Sequence, residues 1–179
     1  NHISSPDVVV DHQSKQLRMY FHGPASQAQV DAAGDLLTDF HRTYNQLTTC
    51  AVSDDGLSFH EAPGAEIVGS SYFRAFDWDG YTYAVDMPMV IYRSRNPVAG
   101  FERGPSLMDN AIRHAAVRRV GSTLQVFFSR AGAAPEHIEM VTIDLTPDWM
   151  RWRASKPVSV LKPEHDWEGV NQPIAPSSR

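Results

Sequence analysis

Two apolar stretches meet at an Asp-Gly turn in Tyr72-Phe73-Arg74-Ala75-Phe76-Asp77-Trp78-Asp79-Gly80-Tyr81-Thr82-Tyr83-Ala84-Val85. Asp-Gly between two such stretches is a strong signal for a β-hairpin. A third apolar stretch follows at residues 89–94, and an aromatic residue, Phe101, closes the unit. This order of strands decides the fold class because it recurs on both sides of the unit.

The second strand of the unit has two counterparts, Leu17-Arg18-Met19-Tyr20-Phe21 and Thr123-Leu124-Gln125-Val126-Phe127-Phe128. The third strand has counterparts at residues 48–53 and 139–145, which also lead to aromatic residues. Several strands per unit, repeated at roughly 40 to 65 residues, are typical of a β-propeller. We therefore predict an all-β protein with about three blades and part of a fourth.

Residues 24–45 interrupt the first unit. Apolar residues recur there at near-helical spacing among Gln and Asp, whereas Gly34 weakens a helix. The apolar positions are Ala28, Ala32, Ala33, Leu36, Leu37 and Phe40. This segment is predicted to be a helical or loop insertion.

Length and composition exclude several classes of protein. A chain of 179 residues with a net charge of -5 suits one domain, residues 1–179, and lacks the basic footprint of a nucleic-acid partner. No apolar run approaches the ~20 residues that cross a bilayer, so no membrane partner is expected. Without the charged and apolar regions of a signal peptide, the chain is expected to be cytoplasmic. The lone Cys50 lies in a strand pattern typical of a buried residue.

The two ends of the chain suggest an excerpt from a longer protein. The sequence enters directly at a valine strand and stops at residues 176–179, where a loop should lead to a new strand. Three blades leave open edge strands, and we expect self-association or further sequence to cover them.

Aligning the units on their second strands predicts a shared pocket. Matching Leu124 with Leu17 places His114 opposite Asp7. Matching Tyr83 with Leu17 places Phe73 opposite Asp7, with Arg74 next to it. The inner strands of propeller blades converge on the axis, so Asp7, Arg74 and His114 are expected to meet at one axial end. A slip of one residue in register would turn any of these side chains away.

Two carboxylates in this scheme have both a catalytic and a structural interpretation. Asp7 suits a base, a nucleophile or a substrate clamp, and equally suits a turn acceptor before a strand. Glu168 follows Trp167, whose ring would raise the carboxyl pKa by desolvation, as an acid catalyst requires. A solvated loop position is the structural alternative for Glu168.

Cationic and aromatic residues complete the predicted pocket. Forked donors over an aromatic platform suit a sugar, whereas solvated strand ends are the structural alternative for each arginine. For each histidine the alternative is a structural hydrogen bond. The predicted substrate-binding residues are His2, Tyr72, Arg74, Arg113, His114, Arg130 and Trp167.

Metal and nucleotide motifs are missing from the sequence. No close spacing of His or Cys points to a structural zinc site, and no glycine-rich phosphate loop occurs. We predict no cofactor, and leave open one axial divalent ion such as calcium. The segment Ser53-Asp54-Asp55-Gly56-Leu57-Ser58-Phe59 matches an Asp-box turn and is interpreted as structural.

The sequence resembles the five-bladed propeller glycoside hydrolases of the arabinanase, xylosidase and invertase type. Within that superfamily it is most similar to an uncharacterised glycosidase-like branch. The resemblance covers most of the chain except residues 24–45. The segments that carry it are His2-Ile3-Ser4-Ser5-Pro6-Asp7-Val8, Arg18-Met19-Tyr20-Phe21-His22-Gly23, Arg113-His114-Ala115-Ala116-Val117, Phe128-Ser129-Arg130-Ala131-Gly132 with Pro135-Glu136, and Trp167-Glu168-Gly169.

The resemblance implies a carbohydrate-active protein. Members of the superfamily typically combine an Asp base or nucleophile, an orienting Asp and a Glu acid at the axial pocket. Asp7 matches one such Asp, and Glu168 or Glu136 is the candidate acid. The second Asp has no counterpart at the matching strand heads. The predicted function is glycosidic hydrolysis, with a non-catalytic carbohydrate-binding or scaffold propeller, suited to anionic sugars, as the alternative.

Overall fold

Three antiparallel sheets contain all of the strands in residues 3–176, the part of the chain that the computed structural model describes. In each sheet consecutive strands pair as a meander, and in the first sheet β5 also pairs with β3. The first sheet comprises β1 (Ser4–Asp11), β2 (Gln16–Pro24), β3 (Gln46–Ser53), β4 (His60–Glu61) and β5 (Gly69–Ser70). The second comprises β6 (Arg74–Trp78), β7 (Tyr81–Val85), β8 (Val90–Ser94) and β9 (Glu102–Ser106). The third comprises β10 (Ile112–Val120), β11 (Thr123–Arg130), β12 (Ile138–Asp144) and β13 (Val158–Leu161).

The first strands of the three sheets lie side by side. Strand β6 contacts both β1 and β10. We call β1, β6 and β10 the inner strands. An all-β, propeller-like arrangement is therefore confirmed, whereas the number of blades and the single-domain assignment stay predictions.

The hairpin that suggested the fold forms as predicted. Its turn residues, Asp79 and Gly80, both have positive φ, at 50° and 74°. Two consecutive residues with positive φ define the turn whose twist matches that of paired strands. The turn therefore fixes the register of β6 against β7, where Trp78 pairs with Tyr81.

The predicted insertion is helical. Between β2 and β3 the chain forms α1 (Gln27–Ala32), a 3₁₀ turn (Gly34–Leu36) and α2 (Asp39–Arg42). Ser26 and Thr38 cap the two helices with their side chains. Val30 and Leu37 are buried against Leu47 of β3, which anchors the segment to the first sheet.

Apolar side chains fill both junctions between neighbouring sheets. The junction of the first and second sheets contains Tyr20, Cys50, Val68, Phe73, Tyr92 and Phe101. The junction of the second and third contains Tyr83, Val85, Ile91, Phe128, Ile143, Trp149 and Trp152. Burial of Cys50 was expected, and the resulting desolvation raises the pKa of its thiol to about 11.

The Asp-box segment forms a tight turn after β3. The Asp55 carboxylate accepts hydrogen bonds from the amides of Leu57 (2.8 Å) and Ser58 (2.7 Å). The Ser53 hydroxyl also donates to this carboxylate, at 2.9 Å. These donors hold the pKa of Asp55 well below its usual range. These three contacts close the turn itself, in agreement with the structural interpretation.

In residues 3–176 no helix is both long and apolar enough to cross a membrane.

Candidate functional site

The first and third inner strands each carry one extra residue near their start. The pairing of β1 with β2 slips by one residue around Ser5, and that of β10 with β11 slips around His114. Both bulge residues have left-handed backbone, with φ of 49° and 43°. A bulge of this kind redirects a side chain and is over-represented beside active sites.

The second sheet repeats this feature. Ahead of the regular pair Arg74–Val85, the Met87 amide donates to the Ser71 carbonyl at 3.2 Å. Between these two pairings the inner strand has two residues, 72 and 73, whereas the partner strand has one, residue 86. The inner strand of the second sheet therefore also carries one extra residue. Tyr72, directly after Ser71, is left-handed at φ 60°. The structure therefore gives Ser5, Tyr72 and His114 equivalent places in the three sheets.

This equivalence corrects the register predicted from the sequence. The alignment placed His114 and Phe73 opposite Asp7, but the bulges place His114 opposite Ser5 and leave Asp7 equivalent to Arg74. The first hairpin encloses four residues, 12–15, whereas the other two enclose two residues each. An alignment on the second strands ignores that difference, and also ignores the extra residue of each bulge.

Arg74 joins the three inner strands through their carbonyl groups. Its Nε donates to Ala115 (2.8 Å) in β10, and its Nη1 donates to Ser5 (3.1 Å) in β1. Nη1 also donates to the neighbouring Phe73 carbonyl at 2.9 Å. Arg74 thus lies among the three strand heads, as predicted. Its bonds go to backbone carbonyls, so it positions the site as a structural crosslink.

Aromatic and imidazole rings from neighbouring strand heads contact one another. The Tyr72 ring lies 5.2 Å from that of His114, edge to face, and 4.9 Å from that of His22. The Tyr72 amide donates to His22 Nδ1 at 3.1 Å. Since residues from all three sheets meet here, we call Tyr72, His114 and His22 the ring cluster. His22 is buried, whereas His114 is exposed.

Arg113 fixes the protonation of His114. Its Nη2 lies 3.1 Å from His114 Nε2, and a guanidinium only donates, so Nε2 accepts and the ring proton lies on Nδ1. Desolvation, together with the charge of Arg113, lowers the pKa of His114. Arg113 also pairs with Glu136 through Nη1 at 3.4 Å. At neutral pH the site therefore presents a neutral imidazole beside an ion pair.

Arg130 forms ion pairs with two carboxylates, Asp109 and Glu139. Its Nε donates to Glu139 (2.7 Å), and its Nη1 donates to both carboxylate oxygens of Asp109 (3.1 and 2.9 Å). Both carboxylates help to raise the pKa of Arg130 against the opposing desolvation. These bonds engage Nε and Nη1 of Arg130, which was predicted to bind the substrate and, in the alternative function, an anionic sugar.

Asp7 ties the first inner strand to the second. Its Oδ2 accepts from the Ala75 amide at 2.7 Å. Desolvation raises the pKa of Asp7, although this hydrogen bond and the charge of Arg74 oppose the shift. The structure therefore brings Asp7 and Arg74 together, with the Asp7 carboxylate engaged by backbone.

The two predicted acid candidates line one cleft. Glu136 and Glu168 both border a cavity of about 370 Å³, together with Ser129, His137, Ile138, Leu161, Lys162 and Pro163. The exposed Glu168 accepts from the amides of Glu164 (2.8 Å) and His165 (3.0 Å). Trp167 is 81% exposed, and its ring stacks on His165. The ring therefore does not cover the Glu168 carboxylate in the way that the sequence suggested.

Two sequence predictions remain, the substrate-binding role of His2 and the axial divalent ion. His2 lies outside the described residues. Among residues 3–176, no group of three or more His, Cys, Asp or Glu side chains is arranged to hold a metal ion. The axial divalent ion, left open from the sequence, thus has no ligand set in this part of the chain.

Sequence reasoning missed Ser5 and His22. Ser5 precedes the Pro6-Asp7 pair, and a serine before a strand is too common to indicate a site. His22 alternates with Tyr20 along β2, which marked it only as one face of a strand. A search for left-handed positions at corresponding strand heads would have found Ser5, but neither position has a distinctive sequence signal.

Comparison with known proteins identifies one sequence relative and several similar folds. The chain matches no family model. It is 31% identical to the uncharacterised protein R118 of Acanthamoeba polyphaga mimivirus, over 99% of this chain and 50% of the relative. The chain thus spans about half the length of the curated relative that it matches.

Solved structures with a similar fold include three glycoside hydrolases. The GH32 β-fructofuranosidase of Bombyx mori has a TM-score of 0.59 at 15% identity, covering 86% of this chain and 37% of the enzyme. The catalytic domain of the Coprinopsis cinerea GH62 α-L-arabinofuranosidase has a TM-score of 0.55 at 12% identity, covering 88% and 50%. A family 117 glycoside hydrolase of Zobellia galactanivorans has a TM-score of 0.54 at 14% identity, covering 86% and 54%. The predicted resemblance is therefore confirmed at the level of fold.

Proposed function

We propose that the axial end of the three inner strands is a carbohydrate-binding site for a neutral sugar. The observation that carries this proposal is the repeated bulge, which gives Ser5, Tyr72 and His114 equivalent left-handed places at one end of adjacent sheets. Left-handed backbone is uncommon outside glycine, and functional sites are where such strain concentrates. The glycoside-hydrolase names of the structural neighbours support the ligand class.

The groups at this end suit sugar hydroxyls. A serine hydroxyl and a phenol can each donate and accept a hydrogen bond, as a sugar hydroxyl does, and the neutral His114 ring offers its Nδ1–H as a donor. The Tyr72 ring adds an aromatic surface that suits the apolar face of a pyranose or furanose. Arg74 fixes the backbone of all three strands, so the site needs little reordering on binding.

Charge pairing favours a neutral ligand over an anionic one. Arg113 pairs with Glu136, and Arg130 with Asp109 and Glu139. An anionic sugar would have to compete with these carboxylates. The cationic pocket considered from the sequence is therefore largely neutralised by its own neighbours.

Isothermal titration calorimetry tests the proposal. The panel contains neutral oligosaccharides, including fructosyl and arabinosyl ones, together with acidic oligosaccharides. His114→Ala and Tyr72→Ala should each weaken neutral-sugar binding about tenfold, the usual effect of losing one good polar contact. His12→Ala is the matched control, because His12 is exposed in the turn at the opposite end of the first sheet. Unchanged affinity in His114→Ala and Tyr72→Ala, or binding restricted to acidic sugars, would contradict the proposal.

Glycosidic hydrolysis is the second candidate function. Glu136 and Glu168 line one cleft, and Glu136 pairs with Arg113 next to the ring cluster. Desolvation of Asp7, which raises its pKa, also suits acid–base chemistry. Against hydrolysis, the three bulge positions carry no carboxylate, and backbone amides engage both Asp7 and Glu168.

Aryl-glycosides distinguish the two functions. If the chain hydrolyses them, Glu136→Gln, Glu168→Gln or Asp7→Asn should lower turnover at least a hundredfold, because general acid–base catalysis contributes about 10²–10⁴-fold. Glu61→Gln, in the exposed strand β4, is the control. Sugar binding without turnover favours a binding protein, and turnover that all three variants retain removes these carboxylates from the mechanism.

A further inference from the structure

The insertion packs on the second sheet through a buried polar cluster. His41 of α2, Asp86 after β7 and Tyr92 of β8 are all buried, and we call them the docking cluster. His41 Nε2 lies 3.2 Å from Asp86 Oδ2, without the alignment of a hydrogen bond. Asp86 Oδ1 accepts from the Val90 amide at 2.9 Å. One carboxyl group therefore lies at the contact between the insertion and the sheet.

The Tyr92 hydroxyl lies between two acceptors. Its oxygen is 3.0 Å from the Leu36 carbonyl of the insertion and 2.9 Å from Asp86 Oδ2. A phenol has one O–H and can donate to only one of them. If Asp86 were ionised, one of these two short contacts would have no hydrogen between its oxygens. With a proton on Asp86 Oδ2, that proton is donated to Tyr92, and Tyr92 donates to Leu36.

We propose that Asp86 is protonated in the folded protein and that its proton joins the insertion to the second sheet through Tyr92. Loss of this proton to a base in solvent leaves a carboxylate, toward which the Tyr92 hydroxyl turns. The Leu36 carbonyl then loses its donor, and the docking of the insertion weakens. The insertion is thus a pH-sensitive element that alkaline conditions loosen.

Burial favours the uncharged form of both Asp86 and His41. Desolvation raises the pKa of Asp86 to about 8, although the bonds that Tyr92 and Val90 donate to the ionised carboxylate and the charge of Arg103 oppose the shift. Desolvation and Arg103 lower the pKa of His41 to about 4. His41 Nδ1 accepts from the Thr38 amide at 3.2 Å, so the neutral ring carries its proton on Nε2. At neutral pH both members of the His41–Asp86 pair are uncharged.

The two shifts have opposite effects on docking. A raised pKa in Asp86 gives stabilisation that is complete below the pKa of the undocked carboxyl and lost as pH rises through about 8. The lowered pKa of His41 gives stabilisation that is lost as pH falls through about 4. Above the ordinary histidine pKa of about 6.5 only Asp86 still titrates, so docking should weaken with rising pH.

The docking cluster is connected to the ring cluster by one short stretch of backbone. Met87, next to Asp86, donates to Ser71, and Ser71 immediately precedes Tyr72. Loosening of the insertion would therefore alter the support of Tyr72 and lower the affinity for sugar. This last step rests on the proposed function, whereas protonation of Asp86 does not.

Amide hydrogen exchange without any sugar tests the proposal. Protection of residues 27–43, corrected for intrinsic exchange rates, should fall on the order of tenfold between about pH 6.5 and about pH 8.5. Asp86→Asn keeps the size of the side chain and supplies N–H donors without titrating, so its protection should not change over this range. Asp39→Asn, the same substitution at an exposed position of α2, should behave as the wild type.

Two outcomes of the exchange experiment would overturn this inference. One is an equal loss of protection in Asp86→Asn, and the other is constant protection in the wild type. Carbon-13 NMR of the side-chain carboxyls in the wild type is an independent readout, in which Asp86 should stay protonated past neutral pH. A carboxyl that titrates in the ordinary range near 4 would also contradict the inference. If the exchange result holds and no sugar binds, only the proposed function fails.

Discussion

Nε of Arg74 donates to the carbonyl of Ala115 at 2.8 Å, which joins the inner strands of the second and third sheets. The same guanidinium reaches the Ser5 carbonyl of the first sheet. In a propeller-like fold, neighbouring sheets contact mainly through apolar faces. A charged crosslink at the strand heads sets the relative position of the residues that line the axial end.

Arg74→Ala should lower the free energy of unfolding by about 2 to 3 kcal/mol, because three carbonyls lose a charged donor. Arg74→Lys should recover only part of this loss, since an ammonium group cannot reproduce the fork geometry. Urea denaturation measures both variants. Arg118→Ala, at an exposed position of β10, should stay close to wild type, and an equal loss there would rule out a specific crosslink.

Substitutions at Asp7 should separate its hydrogen bond from its charge. Asp7→Ala leaves the Ala75 amide without this acceptor and should cost about 1 to 3 kcal/mol. Asp7→Asn keeps an acceptor and should be as stable as the wild type, or more stable, at neutral pH. Because the folded-state pKa of Asp7 is raised, its contribution is complete at low pH and declines as pH rises through that pKa. Thermal unfolding between pH 3 and pH 8 should show this decline only in the wild type, and a parallel decline in Asp7→Asn would contradict it.

Asp55→Ala should lower the melting temperature, because the Asp-box turn loses a carboxylate that accepts two amides. The depressed pKa of Asp55 gives stabilisation that is present above its unfolded-state pKa and lost as pH falls. The difference between Asp55→Ala and wild type should therefore shrink in acid. Differential scanning calorimetry with Asp54→Ala as the neighbouring control tests this, and a pH-independent difference would contradict it.

Trp152→Ala should destabilise the junction of the second and third sheets by about 3 to 5 kcal/mol, as expected for a large buried aromatic. Its ring lies 4.9 Å from Tyr83, and its Nε1 donates to the Thr146 carbonyl at 2.9 Å. Trp167→Ala is the matched control, because that ring is 81% exposed and should change stability by less than about 0.5 kcal/mol. Guanidinium denaturation measures both, and similar losses would contradict this description of the core.

The fold was predictable because its signals are local. The Asp79-Gly80 turn, the alternating strands and the Asp-box each specify a structure within a few residues, and all three form as predicted. The apolar spacing of residues 24–45 predicted a helical or loop insertion, and the structure forms two short helices and a 3₁₀ turn there. The similarity of the fold to that of glycoside hydrolases was expected from other short segments, such as residues 18–23 and 113–117.

The site was less predictable because it depends on register and on distant partners. The bulges at Ser5, Tyr72 and His114 each shift the inner strand by one residue, and no sequence pattern marks them. The partners of Asp7 and Arg74 lie in other sheets, so their structural engagement could not be inferred. Three further expectations stay predictions: a cytoplasmic location, self-association and the absence of a cofactor.

The most direct test of the central claim is an amide NMR titration of the whole chain with neutral oligosaccharides. Binding at the axial end predicts the largest chemical-shift changes at Ser5, Tyr72 and His114, with no change at the opposite-end turns that contain Gly80 and Gly121. Saturable changes confined to the cleft of Glu136 and Glu168, or no change with any neutral sugar, would contradict the account.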